Sequence, residues 1–305
     1  MLRKLWLPLT TLAVLAAAFI VSAQAPAQEK GGGGKGGGGG AAQAIVQIKP
    51  GFYEVTGAGG NTSVRVTNDG VIVVDTKNLG DANYDALMAQ IRTVTDKPVK
   101  YVIATHVHQD HSGNIGKFME AGAEVIVHEN LNKNLETYAG NAQGQKPPPA
   151  KVTYTTSRTI KLGTVEAQIY HFSRAHTSGD SVVYFPDLKI VAGGDSIVST
   201  APNIDFPNGG SLVEWPKLLE ATLKLDFDTC IPGHGNVMTK AEVQAFKTKW
   251  ETLISRGAEQ VKKGTPKDQL LASIKTDDIG WNITGAQWSA ANRLDPFYDE
   301  LSKVK

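Results

Sequence analysis

Thr105-His106-Val107-His108-Gln109-Asp110-His111 follows the strand-like run Tyr101-Val102-Ile103-Ala104. Four candidate ligands stand within six residues, from His106 to His111. In extended chain, residues two apart project to the same side, so His106 and His108 can reach one ion together. Asp110 and His111 fall where the chain turns toward a helix, and they can address a second ion beside the first. Imidazole nitrogen and carboxylate oxygen both suit zinc. The chain has a single cysteine, Cys230, so an internal disulfide and a cysteine metal cluster are both excluded. Its apolar neighbours mark Cys230 as a buried small side chain.

The remaining ligands must come from far along the chain. Of seven histidines, four lie outside the cluster: His128, His171, His176 and His234. His176 sits in the polar turn Ala175-His176-Thr177-Ser178-Gly179-Asp180, ahead of a strand at 182–185. His234 sits in Pro232-Gly233-His234-Gly235, just after a strand. Both are strand-end loops, where a rigid sheet positions functional side chains. Asp195 ends the apolar run Ile190-Val191-Ala192 after Gly193-Gly194. An acid in that position needs a partner, and a metal is one. His128 reads as a cap or surface residue, and His171 as structural or as bordering the site. Asp180 is either the acceptor that orients a ligating histidine or a turn cap. Trp215, Trp250 and Trp281 read as core.

The surrounding pattern sets the fold class. Short β-rich runs at 45–48, 52–55, 63–66 and 71–74 are separated by turn signals, with Asp69-Gly70 a tight hairpin. Helical periodicity covers 82–93, 114–120 and 130–138, interleaved with strands at 100–104 and 124–127. A second β-rich half runs from 152 to 192, followed by a helix at 214–225 and a strand at 228–231. Thr239 and Glu242 form a capping box for a long helix with Val243, Phe246, Trp250, Leu253, Ile254 and Val261 on one face. Gly264 and Pro266 end it, and residues 286–303 close the chain as a helix. Strands then helices, given twice, predict an α/β architecture of two facing sheets with helices on both outer faces.

Taken together, residues 105–111, Ala175 to Asp180, Gly193-Gly194-Asp195-Ser196 and 232–235 resemble the metallo-β-lactamase superfamily, in order and spacing, over about residues 45–260. The resemblance implies an αββα sandwich with two metals at one edge. By position it implies that His106, His108 and His176 hold the first metal, Asp110, His111 and His234 the second, and that Asp195 bridges them. Asp75 resembles the family's buried supporting acid. The implied cofactors are two zinc ions, with iron or manganese as substitutes. The implied chemistry is hydrolysis by a metal-activated water, with Asp110 as the catalytic proton carrier. The ligand set is similar to the glyoxalase II and lactonase branches, so the expected bond is an ester, thioester, lactone or amide-like bond, with β-lactams admitted but not favoured. The alternative is a persulfide-dioxygenase-like oxidoreductase, which uses one iron on the same fold. The loop 140–149 and the segment 202–210 are the expected walls of the substrate pocket.

Outside the catalytic domain, expected over 45–305, the N-terminus carries Arg3, Lys4 and an apolar stretch to Val21, then small residues. This is the pattern of a secretory signal peptide over 1–25, with cleavage after Ala23 or Ala25 and Pro26 favouring Ala23. Residues 26–44, with Gly31–Gly34 and Gly36–Gly40, read as a flexible linker. The expected location is the bacterial periplasm or exterior, without stable membrane association once the signal is removed. A net charge of +1 gives no electrostatic footing for nucleic acid. The expected partner is a small-molecule substrate, and the sequence sets no oligomeric state.

Overall fold

The computed structural model describes residues 42–304. The expected signal peptide, and residues 26–41 of the expected linker, lie outside the described residues. Strands β1 (Ala44–Lys49), β2 (Phe52–Thr56), β3 (Thr62–Val66), β4 (Val71–Val74), β5 (Val99–Ile103), β6 (Glu124–His128) and β7 (Val152–Tyr154) form one sheet in that order. The β1–β4 pairs are antiparallel and the β4–β7 pairs parallel. The second sheet contains β8 (Ser157–Leu162), β9 (Val165–Tyr170), β10 (Val182–Phe185), β11 (Ile190–Gly194), β12 (Thr229–Pro232) and β13 (Met238–Thr239), in the order β13-β12-β11-β10-β9-β8.

Alternation along the strands builds three apolar layers. Ile72 and Val74 of β4, Ile103 and Ile126 face Ile169, Val183, Phe185, Ile190 and Ala192 between the sheets. The opposite faces turn outward. Val71, Val73, Val102 and Val125 lie under Leu87 and Ile91 of α1 (Asp81–Arg92), then, beyond the short α2 (Gln109–Ser112), under Phe118 of α3 (Ile115–Glu120) and Leu131 of α4 (Glu129–Thr137). Val182, Tyr184 and Val191 lie under Trp215 and Leu218 of α5 (Trp215–Leu223) and Val243, Phe246 and Trp250 of α6 (Lys240–Lys262). The four layers are the αββα sandwich expected from the sequence. Each large side chain buried this way contributes about 1.5–3 kcal/mol.

The Thr239–Glu242 capping box is present at the start of α6. The closing segment is not one helix. After α7 (Lys267–Ser273) it forms α8 (Ala286–Ser289) and α9 (Ala291–Ser302). Ala290 is extended between them, with φ −59° and ψ 140°. Among the described residues no helix is long and apolar enough to cross a membrane.

Strand direction gathers the expected ligands on one rim. In the parallel stretch, β4 and β5 end side by side, with Val74 opposite Ile103. Their next residues are Asp75 and the 105–111 segment. In the second sheet β11 and β12 are parallel, so Asp195 and His234 leave the same edge. β10 runs antiparallel to β11, so its start, where the His176 turn arrives, lies at that edge too.

Candidate metal centre

The ligand atoms of His106, His108, His176 and Asp195 lie within 4.8 Å of one another, as do those of Asp110, His111 and His234. The structure therefore brings all seven sequence-derived residues into two adjoining half-sites. In the first, His108 Nδ1 is 3.2 Å from His106 Nε2 and 2.9 Å from His176 Nε2. In the second, His111 Nε2 is 3.2 Å from His234 Nε2, and Asp110 Oδ2 is 3.1 Å from His234 Nε2 and 3.5 Å from His111 Nε2. Asp195 stands between the halves. Its Oδ1 is 3.2 Å from His111 Nε2 and 3.4 Å from His234 Nε2. Its Oδ2 is 3.6 Å from His176 Nε2 and 3.9 Å from His106 Nε2.

These residues fit a pair of cations. Asp195 Oδ1 is buried with no hydrogen-bond partner among the described residues, an arrangement that costs free energy unless something electropositive compensates it. Burial and neighbouring imidazoles push His106 well below its ordinary pKa and His176 down to about 4, which keeps their lone pairs available. Burial works against ionisation of Asp110, but His111 and His234 outweigh it and hold the carboxyl down to about 2. Burial likewise opposes charge on His111, yet Asp195, Asp110 and Asp75 hold its pKa well above the ordinary value. The second half-site thus favours positive charge.

Every nitrogen turned away from the centre in four of the histidines has an acceptor, which fixes tautomer and ring plane. His111 Nδ1 donates to Asp75 Oδ2 at 2.8 Å, and His176 Nδ1 to the Asn203 carbonyl at 2.5 Å. His106 Nδ1 lies 3.0 Å from Thr105 Oγ1, which donates onward to Asp75 Oδ2 at 2.9 Å. Asp75 is the supporting acid expected from the sequence. His108 Nε2 meets Asp205 Oδ2 at 2.6 Å. Asp180, read as either such an acceptor or a turn cap, accepts from Thr177 N and Oγ1 and so caps its own turn. His128 also caps: it is buried, accepts from Asn130 N, and stacks on His171 at 3.9 Å. The surface half of its reading does not hold.

The sequence reading missed the residues that hold the second half-site in place. Gly60 N donates to the Asp110 carbonyl at 3.1 Å. Asn61 Nδ2 donates to the Pro232 and Gly235 carbonyls at 3.0 and 2.9 Å, on either side of His234. Fully buried Lys77 donates from Nζ to the Val55 and Gly60 carbonyls at 2.5 and 2.7 Å. Burial pushes Lys77 down to about 7, with Glu54, Asp75 and Asp110 pulling the other way. Trp215, read as core, also donates from Nε1 to the Ser196 carbonyl at 2.8 Å and so steadies the turn after Asp195.

Of the two expected pocket walls, 202–210 supplies Asp205. In the loop 140–149, Pro148 approaches Gly116 of α3, and Pro147 and Pro149 lie along α4. Replacing Asp205 with asparagine, which can still cap the turn at Asn208, is expected to weaken metal binding in the first half-site about 10–100-fold. Competition with a chromophoric chelator measures this, and unchanged affinity would remove Asp205 from the centre.

The family description "Metallo-beta-lactamase superfamily" matches residues 55–234, more than half of the sequence. The chain belongs to the metallo-β-lactamase superfamily. This superfamily member is 31% identical over 139 residues to "Metallo-beta-lactamase type 2" of Elizabethkingia meningoseptica, covering 46% of this chain and 53% of that protein. The match spans about half of that relative's length. To "Metallo-beta-lactamase type 2" of Bacillus cereus it is 26% identical over 196 residues, covering 63% and 73% of the two chains. The solved metallo-beta-lactamase from Pontibacter korlensis superposes with a TM-score of 0.60 at 21% identity, covering 68% of this chain and 99% of that one. That likeness establishes the shared fold.

Proposed function

We propose that this superfamily member is an exported dinuclear zinc hydrolase that cleaves an ester, thioester, lactone or amide-like bond in a small molecule. Residues 1–25 serve as its signal peptide and 26–43 as a linker, and the catalytic domain opens with β1 at Ala44, one residue earlier than the sequence pattern put it. The observation that carries this reading is Asp195, whose two oxygens face different half-sites at 3.2–3.9 Å. A carboxylate placed this way can be shared by two cations, and Asp110, His111 and His234 would be idle in a site for one.

Two such cations supply Lewis-acid polarisation of the substrate carbonyl and acidify a water, so no serine or cysteine nucleophile is required. The chain's own part is positioning and proton transfer. His106, His108 and His176 form a rigid floor because their outer nitrogens are held by Thr105, Asp205 and Asn203. The Asp110 side chain is 28% exposed, more open than Asp195 at 14%, so its carboxylate can take a proton from water and deliver it to a leaving group.

The test is metal analysis of purified protein together with turnover of a panel of lactones, thioesters and β-lactams. Two zinc ions per chain and hydrolysis of at least one class are expected. One iron per chain with oxygen uptake would overturn the reading in favour of a mononuclear oxidoreductase. Asp110→Ala is expected to lower turnover about 10²–10⁴-fold with an unchanged circular-dichroism spectrum. Turnover within a few-fold of the parent would take the proton-transfer role away from Asp110.

A further inference from the structure

A pocket of about 360 Å³ is lined in part by the loops that follow Asp195 and His234 and uses none of the candidate ligands. That volume is within the range of small-molecule sites. One wall is formed by Ser199 and Asn236, the other by Phe246 and Lys249 of α6 and by Trp281. The loop wall is continuous with the ligand backbone. Ser199 N donates to the His234 carbonyl at 3.1 Å, and Ser199 Oγ accepts from Asn236 N at 2.8 Å. Ser199 is four residues past Asp195, and Asn236 is two past His234.

The charges in the lining are not equivalent. Glu242 Oε2 is engaged by Thr239 N and Oγ1 at 2.7 and 2.8 Å in the capping box. Lys249 lies two helical turns further on, roughly 10 Å along the axis. Its ammonium has no carboxylate within ion-pair distance among the described residues, and Nζ lies 5.8 Å from the centre of the Trp281 ring. By contrast, Lys247 on the same helix is paired with Glu251 at 2.6 Å. Trp281 and Phe246 are held edge to face at 5.6 Å and are only 5% and 4% exposed, so the pair offers the pocket a fixed aromatic rim.

We propose that this pocket is a binding subsite for the anionic, flat apolar arm of a small molecule. Lys249 pairs with the anion, and the apolar body rests on the rim formed by Trp281 and Phe246. The proposal rests on the hydrolase reading only in one respect: the arm's other end would then reach the metal centre past Ser199 and Asn236. In that case Lys249 sets substrate preference and takes no part in bond cleavage.

The probe is 2-naphthoate, with the uncharged 2-naphthamide as control, titrated into the full-length protein as purified and followed by tryptophan fluorescence. Naphthoate is expected to bind more tightly than naphthamide, and Lys249→Met to weaken naphthoate alone, by about five- to tenfold for a charge-assisted contact at a half-exposed site. Lys249→Gln, which keeps a polar side chain, is expected to do the same, so a packing defect in one variant does not decide the outcome. Equal binding of acid and amide, or naphthoate affinity indifferent to both substitutions, overturns the subsite. Absence of hydrolysis of every ester, thioester, lactone and β-lactam tried overturns the hydrolase reading and leaves Lys249-dependent naphthoate binding standing.

Discussion

On the proposed two-metal hydrolase reading, Gly60→Ala is expected to release one of the two metals and lower hydrolysis about 10²-fold or more, the scale of effect for a reacting group displaced by about 1 Å. An added Cβ at this position would lie 2.1 Å from His111 Cε1 and 2.5 Å from its Nε2. Neither side can give way. The His111 ring is fully buried, and its Nδ1 is held by Asp75 at 2.8 Å. The Gly60 backbone is held at both ends, by the Asp110 carbonyl and by Lys77 Nζ. The neighbouring Asn61 is stapled to the chain on both sides of His234. The imidazole must therefore rotate out of the second half-site. His106, His108 and His176 keep their own supports, so the first metal is expected to remain. Mass spectrometry of metal content beside turnover measures both effects. Two metals with unaltered activity would show that the 57–61 loop yields, and that its contact with His111 does not define the site.

The contrast between His111 and Gly60 shows which parts of the site can be read in the chain. The 105–111 segment is legible because its chemistry is local: spacing in an extended segment fixes which side chains project together. His176, Asp195 and His234 are legible because each follows or precedes a strong strand signal, and strand ends are where a sheet delivers side chains. Gly60, Asn61 and Lys77 carry no such signature. A run of glycines before a strand looks like an ordinary turn, and only the pairing of sheets separated by over 170 residues brings Asn61 to Pro232. Asp205 is hidden for a different reason. It caps a short turn at Asn208, which already accounts for an aspartate locally, while its second contact, to His108, spans 97 residues. Asp180 is the converse case, since a position next to a ligand motif suggests a supporting role that its own turn absorbs. The break between α8 and α9 at Ala290 escaped because nothing in the local sequence forbids helix there.

Asp195 governs a larger effect, because its loss is felt by both half-sites at once. Asp195→Ala is expected to leave nearly no metal on the chain and to lower turnover at least about 10³-fold, the loss of several kcal/mol of charge stabilisation. Five imidazoles and Asp110 would then face two dications with one anionic ligand in place of two. The protein invests in this carboxylate. A Cβ at Gly233 would approach Asp195 Oδ1 to 2.1 Å, so the residue ahead of His234 is bare where the acid passes. Burial opposes the charge on Asp195, but His111, His234 and His176 outweigh it and keep the carboxyl well below its ordinary range. Asp195→Asn separates sharing from mere proximity. Asparagine preserves shape but offers a single acceptor oxygen, and its NH₂ group is repelled by a cation. It should therefore serve one half-site and spoil the other, giving close to one metal per chain, retained by His106, His108 and His176. The ordered series of two, one and nearly none for Asp, Asn and Ala is the signature of a bridging carboxylate. Two tightly held metals in the Asn variant would mean that one oxygen suffices, and the two half-sites would then be independent.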